Sequence, residues 1–229
     1  MGRDVIIPLD FSSAAEVYRF LDLFPDGERP YVKIGYELFY SEGLDIVKEI
    51  KARGFKLFLD LKLHDIPNTV GKGMAALAKL GADITNLHAG GGSAMMQAAA
   101  KALEGTQTKL IAVTILTSIG EEQLHSETLI DKPLAETAVA YAKLAKENGC
   151  QGVVCSPLEV PVIKAACGAD FLTVTPGVRF ADSAVGDQAR VVTPAKAKEL
   201  GSDYIVCGRP ITGAADPLAA YRRAVAEFV

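Results

Sequence analysis

The sequence is short of the residues that bind metals or form disulfides, with three histidines and four cysteines in 229 positions. Cys150, Cys155, Cys167 and Cys207 make no CxxC pair and have no histidine partner at metal-ligand spacing, which argues against a zinc site and a disulfide framework. Cys155 and Cys207 lie in apolar, strand-like runs and read as reduced core residues. An excess of basic charge is also missing. Net charge is −4 and the basic residues are spread along the chain, so there is no electrostatic footprint for nucleic acid or an anionic membrane. No apolar stretch approaches a membrane span, and the short apolar run ending at Pro8 is too brief for a signal peptide; a cytoplasmic protein is expected. No GxGxxG turn follows that first run, where a dinucleotide-binding fold would need it. Low-complexity segments and sequence repeats are absent.

What is present is a regular alternation. Apolar, β-branched runs predict strands near Val5–Leu9, Tyr31–Ile34, Lys56–Leu61, Ile84–Leu87, Leu110–Thr114, Gly152–Cys155, Phe171–Thr175 and Tyr204–Cys207. Between and after them lie amphipathic runs: Ala14–Leu23, Gly43–Arg53, Thr69–Leu80, Ser93–Leu103, Pro133–Asn148, Pro157–Ala166, Pro194–Leu200 and Pro217–Phe228. Many close on a glycine of the kind that ends helices, among them Gly54, Gly81, Gly105, Gly149, Gly168 and Gly201. Eight strand–helix units in this length predict an α/β fold, a closed (β/α)8 TIM barrel, as one domain over residues 1–229. An open doubly wound sheet is the alternative.

The chemistry concentrates in residues 56–69. A strand-like run there carries Asp60 and Lys62, which strand alternation puts on one face, and Asp65 follows just before a helix with Pro67 in its first turn. A lysine set between two carboxylates keeps its proton, which favours a proton donor over a Schiff-base nucleophile. The bland alternative is a salt-bridge network with Asp65 capping the helix. Other polar residues fall at the same ends of the predicted strands: Asp10, Lys33, Asn86, His88, Thr117, Ser118, Ser156, Arg179 and Arg209. In a barrel, that end carries the active site.

After the seventh strand runs the longest irregular stretch of the second half, from Gly177 to about Val192, with Arg179, Asp187, Gln188 and Arg190. Gly208 and Arg209 follow the eighth strand. A close backbone approach and a guanidinium fork at that place suit a phosphate monoester, although an ordinary turn with a solvated Arg209 is the plainer alternative. His88 beside Gly90 suits a barrel-mouth or subunit contact, and His125 a solvated insertion. With no carboxylate cluster beyond the lysine-centred one, a metal-dependent hydrolase is poorly supported.

The run Asp60, Lys62, Asp65, Ile66, Pro67 and Thr69 fits the pattern Asp-x-Lys-x-x-Asp-Ile-Pro-x-Thr. Together with Leu9-Asp10-Phe11, Val32-Lys33-Ile34-Gly35, Leu87-His88-Ala89, Leu116-Thr117-Ser118, Thr175-Pro176-Gly177-Val178-Arg179 and Val206-Cys207-Gly208-Arg209, it resembles the orotidine 5′-phosphate decarboxylases, in their bacterial branch, over essentially the whole chain. The resemblance implies a carboxy-lyase that converts orotidine 5′-monophosphate to uridine 5′-monophosphate, the last step of de novo pyrimidine nucleotide synthesis, with no metal and no organic cofactor. It also implies a homodimer with shared active sites. In those roles Lys62 donates the proton, Asp60 lies against the departing carboxylate, and Asp65 and Thr69 enter the partner's site. Asp10 and Lys33 hold ribose hydroxyls, Thr117 meets the pyrimidine, Gln188 bridges base and phosphate, and Arg179, Gly208 and Arg209 bind phosphate. The rivals are a magnesium-dependent sugar-phosphate decarboxylase or hexulose-phosphate synthase on the same scaffold, and a non-catalytic phosphate-ligand sensor.

Overall fold

Strands that are apolar on both faces need cover on both, and here the inner cover is the barrel itself. The computed structural model describes residues 2–182 and 191–229. Its strands are β1 (Asp4–Pro8), β2 (Tyr31–Gly35), β3 (Leu57–Leu63), β4 (Ile84–His88), β5 (Lys109–Val113), β6 (Gly152–Val154), β7 (Leu172–Thr175) and β8 (Tyr204–Val206). They pair in parallel in sequence order, and β8 returns to β1, so the barrel is closed. The open-sheet alternative is thereby excluded. Alternate residues fill the interior, where Ile6, Tyr31, Phe58, Ile84, Ile111, Leu172, Val174, Tyr204 and Val206 pack together. Their neighbours, such as Val5, Ile7, Val32, Ile34, Leu57, Leu59 and Ile205, point outward into a second core.

That outer core is covered by α1 (Ala14–Leu21), α2 (Tyr36–Ala52), α3 (Pro67–Ala78), α4 (Gly92–Ala102), α5 (Glu121–Ser126), α6 (Leu134–Glu147), α7 (Val160–Cys167), α8 (Pro194–Leu200), α9 (Arg209–Thr212) and α10 (Pro217–Phe228). All four cysteines are buried free thiols. The six glycines expected to end helices all have positive φ, between +68° and +90°. Several elements differ from the sequence pattern, among them the short helix α9. The second helix begins at Tyr36 rather than Gly43, because Gly43, at φ +71°, joins two helical segments across a kink. The polar insertion around His125 contains α5, held by a small apolar cluster of Ile115, Leu124 and Leu134. The third strand continues past Leu61 to Leu63 through a register shift against β4.

Both barrel rims carry charge, but they use it differently. At the amino-terminal rim, Asp83 accepts from the Leu57 backbone N–H at 2.7 Å and from Lys51 at 2.6 Å. Asp203 likewise accepts from the Thr173 N–H at 2.7 Å and Lys164 at 2.6 Å. Those carboxylates tie neighbouring elements together, which is a stabilising role. A polar group at a strand end is therefore not diagnostic by itself; facing an open cavity is.

The tightest point of the barrel wall is Gly152, where a Cβ would lie 2.5 Å from the Leu172 carbonyl oxygen and 2.6 Å from its Cβ. Because the obstacle includes backbone, it cannot turn aside. Gly152→Ala is expected to lower unfolding free energy by about 1–3 kcal/mol in urea denaturation; unchanged stability would contradict this packing.

Candidate active site

At the carboxyl ends of the strands the barrel opens into a cavity of about 510 Å³. Its floor is apolar, made by Phe58, Val113, Val154 and Val206. Asp10, Lys33, Asp60 and Lys62 line it with Thr117, Arg179, Gly208 and Arg209. This size and lining, an apolar floor with a few converging polar groups, suit a small-molecule ligand of nucleotide dimensions.

The charged residues form an alternating row. Lys33 Nζ lies 3.6 Å from Asp10 Oδ1 and 3.2 Å from Asp60 Oδ2, and Lys62 Nζ lies 2.7 Å from Asp60 Oδ1. Asp60 is buried, and Asn86, buried as well, donates to its Oδ1 at 2.6 Å. Burial pushes the Asp60 carboxyl upward, but the Lys33 and Lys62 ammonium groups and the hydrogen bonds outweigh it and hold the carboxyl below the ordinary carboxylate range. The buried group is thus an anion between two cations. Local alternation correctly pairs Asp60 with Lys62, yet the backbone reaches that result irregularly: Lys62 has φ +47°. The ring of Tyr36 stands 5.7 Å from Lys62 Nζ.

The carboxylate on the other side of the row is Asp10, not Asp65. Asp65 is exposed, its side chain accepts from the Ile66 N–H at 2.6 Å, and it lines a separate surface depression with His64, Ile66, Pro67, Gly90 and Gly91. Thr69 is exposed on the first turn of α3. Within one chain, therefore, neither reaches the cavity, and a lysine between Asp60 and Asp65 is not what a single subunit builds. The cause is the corner after Leu63, which turns the chain outward into α3.

At the opposite wall, Arg179 is buried, its Nη1 donating to the Val178 carbonyl at 2.8 Å and its backbone N–H to Val192 at 3.0 Å. Gly208 begins the turn into α9, and a Cβ there would lie 3.0 Å from Pro8 Cγ. Arg209 opens α9 and is exposed. Gln188, with Asp187 and Arg190, lies outside the described residues.

His88 lies outside the cavity lining, half-buried, with its ring 5.6 Å from that of His64. Burial, then the neighbouring His64 and Lys62, lower its pKa against the opposing pull of Asp60. His125 Nδ1 contacts the Ile130 carbonyl at 2.7 Å in the α5 insertion. Among the described residues no group of three or more His, Cys, Asp or Glu side chains is placed to hold a metal ion, and no helix is long and apolar enough to cross a membrane. The sequence places Asn86 among the polar strand ends but does not name its partners. Alternation does put Asn86 inward with Ile84, but its partners lie on another strand.

The state of Asp60 has a consequence for stability. Its folded pKa is lowered, so in the acid range the unfolded chain binds more protons and stability rises with pH. Its contribution is complete above the unfolded carboxyl value of about 3.9 and is lost as pH falls through the folded value. The stability difference between wild type and Asp60→Asn should be flat above about pH 5 and shift against the wild type on acidification below that. A difference moving the other way in urea titrations would show that Asp60 is not held as an anion.

Residues 3–224 match the sequence profile of the Orotidine 5′-phosphate decarboxylase / HUMPS family. The chain is 58% identical over 228 residues to an orotidine 5′-phosphate decarboxylase of Shouchella clausii, covering 97% of this chain and 95% of that one. It is 56% identical over 234 residues to one of Bacillus caldolyticus, covering 100% and 96%. A crystal structure of orotidine 5′-phosphate decarboxylase from Lactobacillus acidophilus superimposes with a TM-score of 0.88 at 46% identity, covering 99% of each chain.

Proposed function

Since the chain belongs to the Orotidine 5′-phosphate decarboxylase / HUMPS family, we propose that it decarboxylates orotidine 5′-monophosphate to uridine 5′-monophosphate without metal or organic cofactor, in the cytoplasm, as the last step of pyrimidine nucleotide synthesis. The observation that carries this proposal is the buried Asp60 carboxylate clamped between Lys33 and Lys62 at the edge of a cavity whose other wall holds Arg179 and Arg209. Four buried free thiols accord with a reducing compartment.

The chemistry asks for this arrangement. When the bond from the ring carbon to its carboxyl group breaks, carbon dioxide leaves and the electron pair stays on that carbon. No electron sink is conjugated to it, so the site must supply fixed positive charge there and then a proton. The Lys62 ammonium does both: it faces the developing carbanion, transfers one N–H proton to form the new C–H bond, and regains a proton from solvent. Asp60 orients Lys62 and meets the substrate carboxylate. Asp10 and Lys33 take the ribose hydroxyls, Thr117 the base, Gln188 both base and phosphate, and Arg179, Gly208 and Arg209 the phosphate. Binding energy from the phosphate, remote from the reacting carbon, then holds the strained charge row in register.

A homodimer with shared sites completes the Asp-Lys-Asp network. Asp65 and Thr69 are exposed in one chain, in company with Ile66 at 66% exposure, and Tyr36 and Tyr40 are exposed at 53% and 77%. Aromatic and aliphatic side chains left in water beside functional polar ones suit a second copy. Lys62 would then face Asp60 from its own chain and Asp65 from the partner.

Two measurements test this. Loss of the orotidine chromophore, followed with chelator present, should be rapid for the wild type and slower by at least about 10⁴-fold for Lys62→Ala, since charge stabilisation and proton donor vanish together. The fold should survive, because Asp60 keeps Lys33 and Asn86 as partners. Activity abolished by chelator would instead favour the magnesium-dependent chemistry, and binding without turnover a sensor. For the shared site, Lys62→Ala and Asp65→Ala chains, each inactive alone, should regain about a quarter of wild-type activity when unfolded and refolded together, since mixed dimers rebuild one intact site of two. No recovery would place Asp65 outside the partner's site.

A further inference from the structure

Lys62 owes its direction to a backbone conformation that its own strand does not supply. Along β3 and β4, Leu59 pairs with Thr85 and the next pairing is Leu63 with Leu87, so Asp60, Leu61 and Lys62 stand opposite Asn86 alone. A bulge of this kind leaves backbone groups outside the ladder and re-aims side chains. Lys62 takes the left-handed conformation, φ +47°, which is unfavourable for a residue with a Cβ and persists where its surroundings impose it.

Asn86 is what stands in the gap. Its Oδ1 accepts from the displaced Lys62 backbone N–H at 2.8 Å, and its Nδ2 donates to Asp60 Oδ1 at 2.6 Å. That oxygen is the one Lys62 Nζ reaches at 2.7 Å. The three contacts close a ring through Asn86, the Lys62 backbone, the Lys62 side chain and the Asp60 carboxylate. Only a side chain with one acceptor and one donor at this spacing can close it. Asn86 is fully buried and is not part of the cavity lining, so it acts without touching a ligand.

We propose that Asn86 is a positioning residue, a two-sided clamp that fixes the left-handed backbone of Lys62 and the Asp60 carboxylate together and so aims the ammonium into the cavity. The inference rests on the decarboxylase function proposed above. It predicts that loss of either side of the clamp misdirects the proton donor while leaving the ribose and phosphate contacts intact.

The test compares Asn86→Asp and Asn86→Leu with the wild type. Asn86→Asp keeps an acceptor for the Lys62 N–H but sets an oxygen against Asp60, whereas Asn86→Leu removes both bonds at similar size. Turnover of orotidine 5′-monophosphate should fall by about 10²-fold or more in each, as for a misplacement of about an ångström at the reacting centre. Affinity for uridine 5′-monophosphate, measured by calorimetry, should stay within about threefold of wild type, the mark of an interaction used in the transition state rather than in binding. Amide hydrogen exchange at Lys62 should accelerate in Asn86→Leu more than in Asn86→Asp. Turnover within about threefold of wild type in Asn86→Asp, or equal losses of turnover and nucleotide binding, would overturn the proposal. Failure of both variants to fold would also overturn it, in favour of a purely structural role. A wild-type chain that leaves orotidine 5′-monophosphate untouched would instead defeat the decarboxylase function itself, and the positioning role with it.

Discussion

The structure depends on one buried anion. Asp60 is taken almost out of water at the barrel mouth, a transfer that costs several kcal/mol for an isolated carboxylate and is tolerable only with close cationic partners. Lys33 and Lys62 supply them at 3.2 and 2.7 Å, and Asn86 supplies a neutral donor at 2.6 Å. Once Asp60 is anionic in this place, the two ammonium groups are held at its oxygens with little freedom. A flexible lysine side chain becomes a fixed charge, which is the condition for electrostatic preorganisation. Well-packed apolar residues often serve a core as well as a buried ion pair does, so the row is weak evidence of stability in itself.

The barrel makes such a row possible because its two rims divide the labour. Carboxylates at the amino-terminal rim, Asp83 and Asp203, spend their lone pairs on backbone N–H groups and lysines of adjacent elements. They finish the ends of strands. At the other rim the polar groups stand around an open volume floored by Phe58, Val113, Val154 and Val206. The apolar floor keeps the local dielectric low, so the same charges interact more strongly there than they would in water. Arg179 and Arg209, coming from the segments after β7 and β8, put a wall with two guanidinium groups at a distance in sequence from the Asp60–Lys62 wall, and the barrel brings the two to one cavity.

Local sequence periodicity determined a great deal. Runs apolar on both faces, alternating with amphipathic segments that end in glycine, specify eight strands and their covering helices, because those patterns act over a few residues and a parallel sheet covered on both faces buries them. The i, i+2 spacing of Asp60 and Lys62 likewise kept the two close along the chain, and the placement of Arg179, Gly208 and Arg209 after the last two strands determined that they would share a rim. Tertiary structure alone decided the rest. It set Asp10 against Lys33, turned Asp65 and Thr69 away from Lys62 of the same chain, put the kink of α2 at Gly43, and gave Lys62 its left-handed backbone opposite Asn86. The last of these follows from register between strands some 26 residues apart, as for Asn86 and Asp60. Register is fixed by the packing of the whole barrel, and no short window of sequence contains it.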